Sequence, residues 1–184
     1  MKVELKRLTE NELELLMNWR MREDITRMMY TTPKLTIEGQ RKWFENIKAN
    51  NSEIRWIIWS NGKPIGSMYA TNIDHENHRC ETGWFIAEKS DLSLKETVSI
   101  QQNASLYLFE KLGINRIYGG VLDINYKAAC LVNRLVGLKE EGRMVQHICK
   151  DGVYHDVIMI GMTKESWQSM NLKFDRIEVE DWYC

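Results

Sequence analysis

Apolar and polar positions change their spacing several times along the chain, and these changes predict alternating strands and helices. Between residues 3 and 8, apolar residues roughly alternate with charged ones, which indicates a half-buried strand. Residues 54–59 form an apolar run typical of a buried strand, and the Asn61-Gly62 pair that follows is a strong signal for a hairpin. Residues 64–70 are therefore predicted to form the partner strand.

Two helices are predicted between the first strand and this hairpin. Thr9 is a candidate N-cap, and Glu12, three residues later, completes the capping-box pattern. That helix carries apolar residues up to Trp19 and ends near Arg20. Thr36 is the candidate cap of a second helix.

The middle of the chain reads as strand, helix, strand, short helix and strand. These segments cover residues 79–88, 97–113, 114–125, 126–137 and 138–142. A helix that connects two strands of the same direction forms a right-handed crossover. We therefore expect these strands to be parallel neighbours.

The C-terminal part of the chain begins with a predicted hairpin around Asp151-Gly152. We expect one domain over residues 1–163, followed by a tail over residues 164–184. The tail has a half-alternating apolar pattern, so it is either an extra strand, a segment that docks on a partner, or a loosely packed terminus.

Composition excludes several classes of protein. The 25 basic and 26 acidic residues give a net charge of -1, so nothing favours nucleic acid or an anionic membrane as a partner. Cys80, Cys130, Cys149 and Cys184 form no C-x-x-C pair, which argues against a zinc site and against a disulfide framework. Without an apolar segment suited to a signal peptide or a membrane span, we expect a reduced, cytoplasmic protein with no metal.

The order of the predicted elements resembles that of the GNAT-family N-acetyltransferases over roughly residues 1–163. Short phrases in matching order support the resemblance: Asn18-Trp19-Arg20, Trp43-Phe44, Gly62-Lys63-Pro64-Ile65-Gly66, Glu81-Thr82-Gly83-Trp84-Phe85-Ile86, Asn115-Arg116-Ile117, Asn125 followed by Ala128, and Leu138-Lys139-Glu140-Glu141-Gly142. The resemblance implies an α/β (α+β) fold with a mixed central sheet of about seven strands flanked by about four helices. It also implies acetyl-CoA as co-substrate, and two central strands that splay apart to receive its arm.

Within the family, these phrases and the late Tyr154-His155-Asp156-Val157 segment most resemble acetyltransferases of nucleotide-linked amino sugars, of the pseudaminic acid biosynthesis type. A small-molecule amine is therefore the expected acceptor, and a homodimer is possible in this reading. Two alternatives remain: acetylation of protein N-termini, as in the ribosomal-protein acetyltransferases, and a non-catalytic binding module.

Acetyl transfer to an amine needs a base, and Glu81 is the candidate because its neighbours indicate a partly desolvated carboxylate. The alternative is a strand carboxylate that faces solvent or an arginine, and His75 or His78 could then supply the base. By resemblance, the backbone N–H groups of Phe85 and its two successors bind the pantetheine arm and polarise the thioester. These residues are Phe85, Ile86 and Ala87.

The sequence departs from the family pattern at two places. Between residues 88 and 112 there is no glycine for a phosphate loop, so Ser93, Lys95 and Thr97 are the candidate donors to the pyrophosphate, with Glu96 opposing them. If these donors do not compensate, the chain no longer binds coenzyme A well.

The second departure concerns the fourth helix of the family, where a tyrosine often protonates the leaving thiolate. The corresponding place here is Val132. Asn125 remains and is expected to anchor the coenzyme arm or a water.

The acceptor pocket is expected between the first two helices and the hairpin strands. Its candidate residues are Trp19, Arg20, Tyr30, Trp43, Met68 and Tyr69. Arg20 is the candidate for binding an anionic part of the acceptor, such as a nucleotide phosphate. The alternatives are that Arg20 satisfies carbonyls at the helix end, and that Trp43 is a core residue.

Overall fold

The computed structural model describes residues 2–50, 52–88 and 92–182. Within these residues, eight strands form one mixed sheet. The strands are β1 (Val3–Arg7), β2 (Ile54–Ser60), β3 (Lys63–Asp74), β4 (Arg79–Ile86), β5 (Arg116–Leu122), β6 (Lys139–Lys150), β7 (Val153–Thr163) and β8 (Glu178–Val179). The helices are α1 (Leu13–Met21), α2 (Glu23–Thr26), α3 (Ile37–Ala49), α4 (Leu94–Leu106), α5 (Asp123–Val136) and α6 (Lys164–Ser169).

The predicted helix starts are confirmed. Thr9 and Glu12 form a reciprocal capping box, which begins a 3₁₀ turn that runs into α1. Thr36 caps α3 by accepting a hydrogen bond from the Gly39 N–H. Because these caps fix where each helix begins, they also fix which residues of α1 and α3 face the sheet.

The strand order across the sheet is β6-β7-β5-β4-β3-β2-β1-β8. The crossover through α4 makes β4 and β5 parallel neighbours, as predicted. They pair, however, only at their first three positions, where Arg79, Cys80 and Glu81 lie opposite Arg116, Ile117 and Tyr118. Beyond these pairs the two strands separate, so the expected gap opens in the middle of the sheet.

The expectation that β5 and β6 would be parallel neighbours is wrong. β7 lies between them and is antiparallel to both. The chain leaves α5, forms β6 at the edge of the sheet, and returns through a hairpin to place β7 against β5. The β6–β7 hairpin therefore places β7 beside β5, so that β5 has a neighbouring strand on each side.

The C-terminal tail is docked on the domain as far as residue 182, and it adds one short strand to the sheet. β8 pairs with β1 in parallel, and the indole N–H of Trp56 donates to the Glu180 carbonyl at 2.9 Å. Trp182 is buried, and its backbone N–H donates to the Tyr107 hydroxyl at 3.1 Å. Residues 183 and 184, and with them the predicted thiol of Cys184, lie outside the described residues.

Two expected absences concern membranes and metals. In the part of the chain that the structure describes, no helix is long and apolar enough to cross a membrane. Across the same ranges, no group of three or more His, Cys, Asp or Glu side chains is arranged to hold a metal ion. Cys80, Cys130 and Cys149 are free thiols, and burial raises the pKa of Cys80 to about 12.

The docked tail predicts a loss of stability when its anchor is removed. Replacing Trp182, which is only 7% exposed, with Ala should lower the free energy of unfolding by about 3 kcal/mol, because a buried indole leaves a cavity behind. Urea denaturation followed by intrinsic fluorescence measures this change.

Tyr154→Ala is the control for this experiment, since that side chain is 62% exposed on the β6–β7 hairpin and should be nearly neutral. A Trp182→Ala variant as stable as the wild type would show that the tail contributes nothing to the core.

Candidate active site

A cavity of about 580 Å³ fills the gap between β4 and β5. Its walls come from both strands, from the α1–α2 segment on one side of the sheet, and from α4 and α5 on the other. The residues that line it include Arg20, Asp24, Tyr30, Tyr69, Glu81, Thr82, Gly83, Trp84, Phe85, Ile86, Gln101, Tyr118, Gly119, Gly120, Asn125, Val132 and Asn133.

The pleat of β4 sorts the lining residues into two faces, since successive side chains point to opposite sides of a sheet. We call the face of Glu81, Gly83 and Phe85 the front face, because Phe85 packs edge-on against Trp19 of α1. The face of Thr82, Trp84 and Ile86 is the back face, which α4 and α5 cover. The two faces meet only through the gap.

Glu81 lies at the point where the strands separate. It belongs to the last β4–β5 pair, opposite Tyr118, and it is half-buried. The Asn72 side-chain amide donates to its carboxylate at 3.1 Å. Burial, and after it the charge of Glu81, raises the pKa of Tyr30 to about 12. Glu81 is therefore a carboxylate in the cavity, with a stable neutral phenol close to it.

Two tyrosines lie over two glycines on the front face. The Tyr69 ring covers Gly83, and the Tyr30 hydroxyl covers Gly120, so that a Cβ atom at either glycine would collide with the aromatic side chain. The segment of Tyr30 is held by Lys150, whose ammonium donates to the carbonyls of Thr26 and Met29 at 2.6 and 2.7 Å. Glycine is required at both strand positions because the aromatic rings lie against the backbone.

Arg20 lines the cavity on the front side. Its guanidinium contacts the Met29 sulfur and donates weakly to the Thr31 hydroxyl at 3.4 Å. Burial lowers the pKa of Arg20. Among the described residues no carboxylate forms an ion pair with it, so this cation is half-buried without an anion.

Three other predicted acceptor residues do not reach the cavity. Met68 neighbours Tyr69 in β3, so the pleat turns its side chain to the back of the sheet, where it is buried opposite Trp84. Trp19 is buried in the core, and its indole N–H donates to Glu88 at 2.6 Å. Trp43 lies beneath the guanidinium of Arg55, outside the cavity.

Of the three backbone N–H donors predicted on β4, only that of Ile86 points into the gap. The Ala87 N–H is already bonded to the Ile65 carbonyl of the β3 side, at 2.7 Å. Because N–H groups along a strand point alternately to its two neighbours, Phe85 also faces β3, whereas Trp84 and Ile86 face the gap. Trp84 is therefore a donor that the sequence did not indicate, since the direction of each N–H requires the register with β3.

The side chains that were expected to bind the pyrophosphate are engaged within the protein. Ser93 and Glu96 form a capping box, in which the Glu96 carboxylate accepts from the Ser93 N–H at 2.9 Å and from its hydroxyl at 2.7 Å. Thr97 donates its hydroxyl to the Ser93 carbonyl at 3.1 Å. Lys95 forms an ion pair with Asp175 at 2.8 Å.

Among the other residues near the site, some line the cavity and others do not. Asn125 and Val132 line the cavity from α5. Tyr126 donates its hydroxyl to Glu140 at 2.7 Å and is not part of the lining. His75 and His78 are exposed in the turn before β4 and do not line the cavity.

The geometry fits an extended chain that carries amides. Such a chain can lie alongside β4 in the gap, where the Trp84 and Ile86 N–H groups would bond its carbonyls as a neighbouring strand would. On β5, Gly119 leaves the space open, because a Cβ there would lie 3.1 Å from the Thr82 carbonyl oxygen. Glu81 then lies on the front side, where a second reactant would enter.

Comparison with known proteins gives a family. Residues 2–136 match the model of the acetyltransferase (GNAT) domain. The acetyltransferase PseH of Campylobacter jejuni is 26% identical over 152 residues, which cover 80% of this chain and 92% of PseH. YdaF of Bacillus subtilis, named as a ribosomal N-acetyltransferase, is 26% identical over 107 residues. That match covers 58% of this chain and 57% of YdaF, so it spans little more than half of that relative.

Solved structures show the same fold. A spermidine N-acetyltransferase from Vibrio cholerae in complex with CoA and spermine superposes with a TM-score of 0.82. It is 21% identical and covers 91% of this chain and 98% of its own. A dodecameric structure of that enzyme in an intermediate state has a TM-score of 0.79, at 20% identity, over 93% of this chain and 99% of its own.

The open gap predicts how a strand substitution will act on cofactor binding. Acetyl-CoA should bind the wild type with a micromolar Kd in isothermal titration calorimetry. Gly119→Val should weaken this binding at least tenfold, about 1.4 kcal/mol, because the added side chain fills the space beside Thr82.

Gly142→Val on β6 is the matched control, since nothing lies within 4 Å of a Cβ at Gly142. Millimolar or absent binding by the wild type would instead favour the non-catalytic module, and unchanged binding by Gly119→Val would place the cofactor elsewhere.

Proposed function

We propose that this chain, which belongs to the GNAT acetyltransferase family and takes its acetyl group from acetyl-CoA, acetylates a primary amine on a small molecule that also carries an anionic group. A nucleotide-linked amino sugar is the acceptor class that fits best. The observation that carries this proposal is the half-buried guanidinium of Arg20, which lines the front of the cavity without a carboxylate partner in the described residues.

A partly desolvated guanidinium is stabilised by an anion, and a phosphate can accept two of its hydrogen bonds at once. Tyr30 and Tyr69 flank the same part of the cavity and offer flat surfaces for a sugar or a base. The resemblance of the sequence to acetyltransferases of nucleotide-linked amino sugars supports the same class of acceptor.

The chemistry assigned to the residues is a direct transfer. Acetyl-CoA supplies the thioester carbonyl, and the Trp84 and Ile86 N–H groups are the donors available to polarise it. The Glu81 carboxylate takes one proton of the acceptor ammonium, and the neutral amine nitrogen then bonds to the acetyl carbon as the C–S bond breaks. The nitrogen also loses a second proton, which passes to water or to the departing thiolate. The thiolate leaves without a dedicated acid, because thiols have a pKa of about 8.5.

A polyamine is the competing acceptor, because spermine is bound in the similar structure from Vibrio cholerae. A polycation needs several carboxylates along its length. In the described cavity lining the carboxylates are Glu81 and Asp24, and Asp24 is already paired with Arg22 at 2.7 Å. The described lining therefore offers a polyamine one carboxylate that is not already paired with a cation, which argues against a polycationic acceptor.

Removing the proposed base should slow the reaction. Glu81→Gln keeps the size of the side chain but cannot accept the proton, so kcat should fall by about 10²- to 10⁴-fold. Release of free thiol from acetyl-CoA, in the presence of a nucleotide-linked amino sugar, measures the rate.

Glu76→Gln, in the exposed turn before β4, is the matched control and should retain full activity. Unchanged turnover by Glu81→Gln, with acetyl-CoA binding preserved, would remove Glu81 from the mechanism.

Removing the proposed anion site should affect one acceptor and not another. Arg20→Met should raise the KM for a nucleotide-linked amino sugar by about 10- to 100-fold, as expected for the loss of a hydrogen bond to a charged group. The KM for the same amino sugar without its nucleotide should change little, since that acceptor has no phosphate to bind.

Arg27→Met is the control, because Arg27 is an exposed cation of the same segment. A wild type that acetylates spermidine with the higher kcat/KM, and an Arg20→Met variant that does so equally well, would contradict the proposed acceptor class.

A further inference from the structure

Two buried side-chain amides face the cavity without a hydrogen-bond partner. Gln101 of α4 is 5% exposed, and Asn133 of α5 is 7% exposed. Both line the back of the cavity. Among the described side chains, three amide nitrogens are buried with no hydrogen-bond acceptor: Nε2 of Gln101, Nδ2 of Asn133 and Nε2 of Gln102. Only Gln101 and Asn133 line the cavity.

Such donors are unfavourable unless something bonds them. A buried N–H that lacks an acceptor loses its hydration and gains nothing in return. Most buried polar groups in proteins are therefore paired, and an exception calls for an explanation. Two exceptions in the wall of one cavity, from two different helices, indicate that the missing acceptors belong to a bound molecule.

The two residues that follow Gln101 in α4 are also buried amides, but neither lines the cavity. Gln101, Gln102 and Asn103 form a run of three buried amides in α4. Asn103 donates to the carbonyls of Ser99 and Asp175, each at 2.8 Å. The carbonyl oxygen of Gln102 accepts a hydrogen bond from the indole of Trp167, whereas its Nε2 atom has no acceptor, and Gln102 does not line the cavity. Gln101 lacks such a bond and is the member of the run that faces the cavity.

We propose that Gln101 and Asn133 bind the pantetheine arm of acetyl-CoA by donating their amide N–H groups to its amide carbonyls. The proposal rests on the use of acetyl-CoA by this chain and does not depend on the identity of the acceptor. On the back face, the arm would then be bonded by Trp84 and Ile86 of β4 from one side and by the two helices from the other. The acceptor enters from the front face and does not compete for these donors.

The experiment compares three variants without ligand and with two ligands. Gln101→Met and Asn133→Leu replace each amide with an apolar side chain of similar size. Both should raise the midpoint of urea unfolding of the free protein, because each removes an unpaired buried donor. Both should weaken acetyl-CoA binding about fivefold in calorimetry, the loss expected for one neutral hydrogen bond.

Gln102→Met is the matched control. The Nε2 atom of Gln102 is also buried and unpaired, but Gln102 does not line the cavity, so this variant should leave the Kd for acetyl-CoA unchanged. The second ligand is adenosine 3′,5′-bisphosphate, which lacks the pantetheine arm. The Kd of that ligand should be the same for the wild type, Gln101→Met and Asn133→Leu.

Each other outcome overturns the proposal. Unchanged acetyl-CoA affinity in both variants would mean that buried water, and not the arm, satisfies the two amides. Equal weakening of both ligands would mean that the substitutions deform the site. If Gln101→Met does not fold, Asn133→Leu decides alone. These titrations contain no amine substrate. If the proposed class of amine substrate is wrong, their result still stands.

Discussion

The structure depends on an incomplete pairing between β4 and β5. Parallel neighbours in a closed sheet satisfy each other's backbone groups along their full length. Here they do so at three positions and then separate, which leaves N–H groups of β4 without a partner strand in the middle of the sheet. An unpaired backbone donor is costly when it is buried, so the gap favours a ligand that can bond as a strand does.

The surroundings of the gap keep it open without losing the core. Gly119 and Gly120 supply no side chain to fill it from β5, and Tyr30 occupies the space above Gly120 only on the front face. On the sides away from the gap, β5 is hydrogen-bonded to β7 and β4 is hydrogen-bonded to β3. The sheet can therefore stay rigid at both flanks of the opening, which is the condition for holding two reactants in a fixed geometry.

Sequence reasoning reached the elements, because periodicity, caps and the crossover rule act locally or through chain order, whereas the gap was expected only from the family resemblance. Sequence reasoning did not predict which way individual side chains and backbone N–H groups point. Met68 and Tyr69 are adjacent in sequence and both could line a pocket, but the pleat places their side chains on opposite faces of the sheet. Only the register with β4 decides which of the two faces the cavity. The same register moves the donor role from Ala87 to Trp84. Gln101 and Asn133 read as ordinary helix residues until the packing of α4 and α5 shows their amides to be buried.

The N-terminus of α4 is poorly suited to bind phosphate, so binding of acetyl-CoA should depend more on the side chains deeper in the cavity. Glycine-rich turns bind phosphate through backbone N–H groups at a helix N-terminus. Here Ser93 and Glu96 use such groups to cap the helix, and the Glu96 carboxylate would repel a phosphate placed beside it. Lys95 is a flexible, exposed cation that must leave Asp175 before it can bind another anion. Among the described residues, the phosphate end of the cofactor therefore meets a poorly prepared site, whereas the arm meets buried donors that have no other acceptor. Affinity for acetyl-CoA should consequently reside more in the pantetheine arm than in the phosphates, because desolvated donors in a fixed wall gain more from a hydrogen bond than exposed side chains that are already paired.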